Sequence, residues 1–534
     1  MRYSLPLLVL MLVLALSCSK STSNENVSNN PSPAVTSGTP EDSSVVLSIP
    51  VGEGGVSFEN TDVEELEPWG PSAFTIGPDG TYFVVDAVNN KILRFRPDGG
   101  QMSPIVVEGV AGISDITVTN DDIYVLDQFA MSPAIFRLKT DGTFQEKTSL
   151  LPQPGAGLRG ARSLSTVRGV ATATDGAVLL EFESTTALRR LDDDSRALDR
   201  SMRGKNYSVK VPTLQNQVSE GGRGFVLLDG QPFAEIKVDN FIAEMKTVSV
   251  NAAGDLFVVV DEIAATPLVD VDETVRRYSH EGNLLGMARV PIRELRSYNM
   301  SETVQPDPNG EIVACDNRKK RPTLDFVTLA FETHLEPILP TYTPSQISLT
   351  SPASCRTRDQ MVAMASKYRR NTVVLNVTNT DGDCEGRRKP HYIAGAGEYS
   401  SVAYDWGGFD TVETYNQLMS ENKMAGDITS VGEAPCSRGV DCSGFVLRCW
   451  GFTDRSGLST ATLPNISTEV SILQLLPGDI LNRPGDHVIL FDKSDGKGVW
   501  AWEATTGGFD RVIYRSTRWR RWLGYTARRY KQVC

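Results

Sequence analysis

The sequence is poor in histidine. Only His280, His334, His391 and His487 occur among 534 residues, no two of them form a His-x-x-x-His pair, and no Cys-x-x-Cys is present. The ligand spacings of a structural zinc site are therefore missing. Positive charge is not in excess either: 53 Lys and Arg stand against 66 Asp and Glu, for a net charge of −13. A general polyanion binder needs a cationic surface to neutralise phosphates, so nucleic acid is not an expected partner. Long apolar runs are also absent, and the stretch from Leu5 to Leu16 is too short for a comfortable bilayer span, which excludes a polytopic membrane protein. What remains is ordinary for chains that bury a core: 40% hydrophobic and 22% charged residues, in a length that suggests two to four domains.

The N-terminus reads as an address. Arg2 supplies a positive start, the apolar run follows, and Ala15-Leu16-Ser17-Cys18 ends it. Small residues before a cysteine resemble the lipobox of bacterial lipoproteins, in which the cysteine becomes the lipidated N-terminus; the alternative is an ordinary signal peptide cleaved nearby. The resemblance implies a signal peptide over 1–17, lipid on Cys18, and a protein anchored to a membrane of the bacterial cell envelope. Residues 18–44 are dominated by Ser, Asn, Pro, Thr and charge, too polar to offset their ordering entropy, and read as a flexible tether.

Between 45 and 340 a theme recurs. A Gly, Asp or Asn turn precedes a β-rich run, an Asp often closes it, and a second strand follows. The clearest copy runs Gly77-Pro78-Asp79-Gly80-Thr81-Tyr82-Phe83-Val84-Val85-Asp86, then Lys91-Ile92-Leu93-Arg94-Phe95. Further copies start near Asp122, Asp175, Gly254 and Asn309, and the long gap before Gly254 has room for another blade around Gly224 to Val238. Hairpins repeated at this interval predict a β-propeller of five or six blades, with six preferred. The first copy resembles the NHL-type repeat. Turn aspartates are expected to bond nearby backbone rather than ligands, and the ring of loops offers a face for a protein or glycan partner that the sequence does not specify.

After Pro340 the pattern changes to an α+β one. Thr357 and Gln360 form a capping box for a helix carrying Met361, Met364, Ala365 and Tyr368, and Thr372-Val373-Val374-Leu375 follows as a short strand. Asp441-Cys442-Ser443-Gly444 opens an amphipathic helix. A cysteine there meets the positive end of the dipole and unpaired N–H groups, which favour a thiolate and could hold an oxyanion. In an exported chain the same cysteine could be half of a disulfide. His487 begins an alternating strand and is the natural base. If the following hairpin is symmetric about Asp495, Glu503 lies directly across from it and orients the imidazole. Cys442 as nucleophile, His487 as base and Glu503 as orienter then make a triad by role.

These motifs and their order resemble the NlpC-type family of papain-like cell-wall cysteine peptidases over roughly Thr357 to Tyr530. They are Tyr404-Asp405-Trp406-Gly407-Gly408, then Asp441-Cys442-Ser443-Gly444, then Leu476-Pro477-Gly478-Asp479, then His487. The resemblance implies a peptidase domain over 341–534, with Cys442 and His487 catalytic and with Asp441, Ser443 and Tyr404 lining the substrate side. It implies cleavage of peptidoglycan stem peptides between D-glutamate and a diamino acid, with no cofactor and no metal. The family's third polar residue is usually His, Asn or Gln, and a Glu503 in that place looks more like the CHAP amidases. A non-catalytic, propeller-based binding protein is the alternative of a different class.

Cysteine usage fits export. With Cys18 given to lipid and Cys442 to catalysis, six cysteines remain, with fifteen possible pairings and nothing in the sequence to choose among them. The last stretch, from Arg511 to Cys534, carries eight Lys or Arg, no acid, and interleaved Trp and Tyr. It reads either as contact with anionic wall or lipid or, more simply, as terminal strands with a charged outer face.

Overall fold

The computed structural model describes residues 44–534, apart from 62, 64–65, 151–166, 173–176, 183–187, 192–196, 199, 203–204, 341–354, 430–433, 456 and 496–497. The expected signal peptide, Cys18 and all but the last residue of the expected tether lie outside the described residues. Among the described residues no helix is long and apolar enough to cross a membrane.

Six four-stranded antiparallel sheets form the first part. Their innermost strands are Phe74–Ile76, Asp115–Val118, Val167–Thr172, Arg200–Met202, Phe241–Val250 and Val304–Pro306. Residues from all six line a single central channel of about 310 Å³. That convergence defines a six-bladed β-propeller. The blade expected around Gly224 to Val238 is present as strands Gly222–Leu228 and Gln231–Val238 of the fourth sheet.

Closure comes from the N-terminal side of the described chain. Val45–Pro50 adds to the sixth sheet as its outer strand, with Ile49 opposite Leu324 and Ser48 opposite Asp325. The two ends of the ring are thus fastened within one blade.

Local sequence accounts for each blade. Tyr82–Asp86 is aromatic and β-branched and is buried throughout, as a strand between two neighbours must be, whereas the outer strand Gln101–Val106 is mostly exposed. The turns are built by side chains bonding backbone. Asp79 accepts from the Thr81 N–H at 3.0 Å, Asp98 from Gly100 at 2.9 Å, Asp141 from Thr143 at 2.8 Å and Asp307 from Glu311 at 2.9 Å. Gly80 sits at φ 83°, where a side chain would be strained. Strand aspartates are satisfied within the propeller too: Asp127 accepts from the N–H groups of Ala111, Phe129 and Ala130. Asp261 is the exception, fully buried with neither carboxylate oxygen hydrogen-bonded, and burial beside Glu273 and Glu244 pushes its pKa far up.

The C-terminal part is α+β. Its antiparallel sheet has the spatial order Ser467–Glu469, Thr526–Tyr530, Ile480–Arg483, His487–Asp495, Gly498–Thr505, Arg511–Thr517. Helix Arg358–Arg370 starts with the expected capping box: Gln360 N–H donates to Thr357 Oγ1 at 3.2 Å and Thr357 N–H to Gln360 Oε1 at 3.1 Å. Met361, Ala365 and Tyr368 face inward, against helix Cys442–Trp450. Two disulfides choose among the open pairings, Cys355–Cys534 and Cys384–Cys436, leaving Cys315, Cys442 and Cys449 outside any disulfide.

The middle of the basic terminal stretch, around Arg518 to Arg521, packs against the propeller rather than presenting its charge outward. Arg518 meets Glu302 of the propeller at 2.9 Å, Arg520 meets Glu273 at 2.6 Å, and Arg511 donates to the Phe129 carbonyl at 2.9 Å. Ala265, Val269 and Val271 of the fifth blade share one apolar cluster with Leu481, Ile489, Trp519, Trp522 and Tyr525. Backbone bonds from Val269 N–H to Tyr525 O and from Ala527 N–H to Pro267 O reinforce it. A cationic segment buried beside an acidic propeller finds its counter-ions there, because each buried charge needs a partner. The propeller and the C-terminal part consequently form one compact unit over the described residues.

Candidate active site

Helix Cys442–Trp450 begins where the sequence places it. Asp441 is its N-cap, with Oδ1 accepting from the Gly444 N–H at 2.6 Å and from Ser443 Oγ at 3.1 Å. The start is pressed against the Tyr404–Gly408 segment: Asp441 N–H donates to the Gly408 carbonyl at 3.1 Å. A Cβ on Gly444 would come within 2.3 Å of that same oxygen, so the motif's glycine is required by backbone contact. Tyr404 bridges Val440 and donates its N–H to the Asp510 carbonyl at 2.8 Å, joining this segment to the sheet.

Phe445 and Val446 of the helix pack with Val488, Leu490, Trp502 and Ala504. The intervening residues Ile489, Phe491, Val499 and Ala501 face the other side, toward Trp519, Trp522 and Tyr525. Strand alternation puts His487 and Glu503 on that second side.

The hairpin is not symmetric about Asp495. Asp495 pairs with Gly498, and a bulge at Asp492 shifts the register so that Leu490 faces Trp502. Continuing that ladder sets Ile489, not His487, opposite Glu503. The expectation of a directly facing pair is corrected: the turn lies nearer the C-terminal side and the bulge inserts a residue. Contact is nevertheless made on the diagonal, with His487 Nε2 3.2 Å from Glu503 Oε2.

Glu503 is held from both sides, for Arg515 Nε donates to its other oxygen at 2.6 Å. Burial alone would raise this carboxyl's pKa, but the Arg515 charge and the His487 hydrogen bond bring it below the usual value. An ionised carboxylate only accepts, so the shared proton belongs to Nε2 and Nδ1 is left as the basic nitrogen. Trp522 stacks on the imidazole with ring centroids 6.5 Å apart.

The Tyr525 hydroxyl pKa is pushed up to about 12, chiefly by burial, against the lowering charges of Arg483 and Arg521. The site is closed: Cys442, His487 and Glu503 are 0%, 1% and 0% exposed.

Asp441, Ser443 and Tyr404 are equally interior. Arg455 lies 2.7 Å from Asp441 Oδ2 and donates to Ser443 Oγ at 2.9 Å, so both motif side chains are engaged inside the protein. Leu476-Pro477-Gly478-Asp479 is an anchor: Asp479 takes Arg529 at 2.7 Å and Arg358 at 2.9 Å, tying the sheet to the first helix. Sequence reasoning missed Arg455, Arg515 and Trp522. The last two lie in the basic, Trp-bearing stretch, and that composition is their only signal.

The class defined by fold and site is a six-bladed propeller fused to an α+β region that holds a buried His–Glu pair and a helix started by a cysteine. No family model matches the chain, and no curated protein is significantly similar to it. Among solved structures, the chain is similar to propeller-type proteins. A gluconolactonase from Xanthomonas campestris shares 14% identity over 55% of this chain and 97% of that one, with a TM-score of 0.28. An aldose sugar dehydrogenase from Streptomyces coelicolor shares 10% over 53% and 100%, with a TM-score of 0.32. Virginiamycin B lyase from Staphylococcus aureus shares 13% over 52% and 99%, with a TM-score of 0.27. Similarities of this size carry nothing about activity.

Proposed function

We propose that the protein is a lipid-anchored peptidoglycan hydrolase of NlpC type, cutting stem peptides between D-glutamate and a diamino acid with Cys442 and His487. The observation that carries this reading is the buried contact of His487 Nε2 with Glu503, in the same α+β part as the helix that Cys442 starts. His487 takes the thiol proton on Nδ1, and the thiolate attacks the peptide carbonyl. N–H groups of the helix's first turn stabilise the oxyanion. The imidazolium then protonates the leaving amine, giving a thioester that water hydrolyses with His487 as base. Tyr404, Asp441 and Ser443 are the candidate substrate wall behind the cysteine, and they are reached only when the closed site opens. Lipid on Cys18 would hold the enzyme at a membrane of the cell envelope, with the propeller as its rigid mount.

The test is muropeptide release by the purified protein, followed by mass spectrometry. Wild type is expected to release stem fragments, with Cys442→Ser and His487→Ala silent and EDTA without effect. Full release by Cys442→Ser, or loss of wild-type release on chelation, would overturn the reading. No release by wild type would favour the propeller-based binding protein. Detection of an acylated N-terminal peptide beginning at Cys18 checks the anchor.

A further inference from the structure

The third member of the site is unusual in having two partners, one on each oxygen. His487 takes Oε2 and Arg515 takes Oε1, at 3.2 and 2.6 Å. Arg515 comes from the edge strand Arg511–Thr517, whose continuation carries Arg518 and Arg520 into the acidic propeller. It also lines a cavity of about 140 Å³ between the two parts, along with Arg518, Asp115 and Glu302, and its guanidinium lies 4.9 Å from the Phe509 ring centre. An arginine that served only to fill space would not need its Nε aimed at a carboxylate already engaged by histidine.

We propose that Arg515 is a positioning residue for the thiol reaction, fixing Glu503 as an ionised acceptor and thereby fixing the proton of His487 on Nε2. The proposal rests on the cysteine-peptidase reading above, which supplies the reaction that it serves.

The physical argument concerns one proton. A buried carboxylate beside an imidazole forms a coupled pair in which either group can hold the proton. If Glu503 held it, imidazolium would be lost and no acid would be available for the leaving amine. A second cation on the far oxygen removes that choice, because the carboxylate facing Arg515 is costly to protonate. Other charges around Glu503 do not supply this. Tyr525 is kept neutral by its burial, Arg483 sits over the Tyr525 ring at 5.1 Å, and Arg521 is turned to Glu67 and Asn299. The strand carrying Glu503 brings no other ionisable side chain between Gly498 and Thr505.

The experiment titrates the imidazole of His487 by NMR in the whole protein, with four histidines to assign, and measures the pH profile of kcat/KM on muropeptides. In Arg515→Gln the donor is kept but the charge is lost. Imidazolium then has a less compensated anion beside it, and the His487 titration and the alkaline limb should move up by about one pH unit. In Arg515→Lys both should stay near wild type. Glu503→Gln should move the titration in the opposite direction, which gives a second reading should Arg515→Gln fold poorly. Limbs and titration of Arg515→Gln superimposable on wild type, with only the amplitude lowered, would overturn the proposal. Absence of Cys442-dependent release would instead overturn the peptidase reading, while the imidazole titration would still decide the role of Arg515.

Discussion

Arg520 of the C-terminal part and Glu273 of the fifth blade meet at 2.6 Å, with both side chains withdrawn from water. Thr303 Oγ1 and the Ser301 carbonyl accept from the same guanidinium, at 3.2 and 3.0 Å. Each charge is the other's counter-ion, with the side chains 5% and 0% exposed.

Truncating one partner leaves an uncompensated buried charge. Arg520→Met is expected to lower stability by about 3–5 kcal/mol, whereas Arg520→Met with Glu273→Gln should recover part of that loss. Urea denaturation of the full chain, followed by tryptophan fluorescence, measures both. Because the two parts share an apolar cluster, wild type should unfold around this interface in one transition. Separate transitions for propeller and C-terminal part, unchanged by Arg520→Met, would contradict the coupling.

Asp115 makes the junction sensitive to pH. Burial, helped by Glu302 and Glu181 and opposed by the Val170 N–H, raises its pKa to about 7. Between about pH 4 and 7 the folded state keeps a proton that the unfolded state has released. This group's contribution is therefore full at low pH and falls by about 1.4 kcal/mol for each pH unit climbed across that window. Asp115→Asn should remove that slope and be more stable than wild type at pH 8. Denaturant midpoints at about pH 4, 5.5, 7 and 8 check the sign. Glu302 works the other way: Arg518 and Lys246 outweigh its burial and hold it at about 2, so its contribution is lost only as pH falls from about 4.5 to 2.

The thiols should differ in reactivity. Burial pushes the Cys449 and Cys315 thiols up, so at neutral pH neither supplies thiolate. Cys442 stands at a helix N-terminus and is the one expected to react. Iodoacetamide on the native protein at pH 7 should give a slow, single adduct at Cys442. Peptide mapping should also recover Cys355–Cys534 and Cys384–Cys436 as linked pairs. Modification of Cys315 or Cys449 ahead of Cys442 would count against the site.

Local rules make much of this legible. Asp79-Gly80 announces a turn because its side chain and left-handed glycine satisfy the backbone within four residues, and the Thr357 and Gln360 cap is equally self-contained. Glu503 is reached from the sequence for a partly mistaken reason. Strand parity survives a shift of two residues, so the residue stays on the right face although its register partner is Ile489. The partners of the basic stretch are invisible in the sequence because Glu273 and Arg520 are 247 residues apart, and composition alone does not tell a buried cation from a solvated one.

The strand Val45–Pro50 is at once the clasp of the ring and the first described element after the N-terminal residues. Any pull arriving through those residues loads the ladder between Val45–Pro50 and Thr323–Thr328 before it reaches another blade. Losing that strand would strip one sheet to three strands and part the ring where its ends meet. Mechanical tension on the N-terminus and the roundness of the propeller are therefore borne by the same few hydrogen bonds.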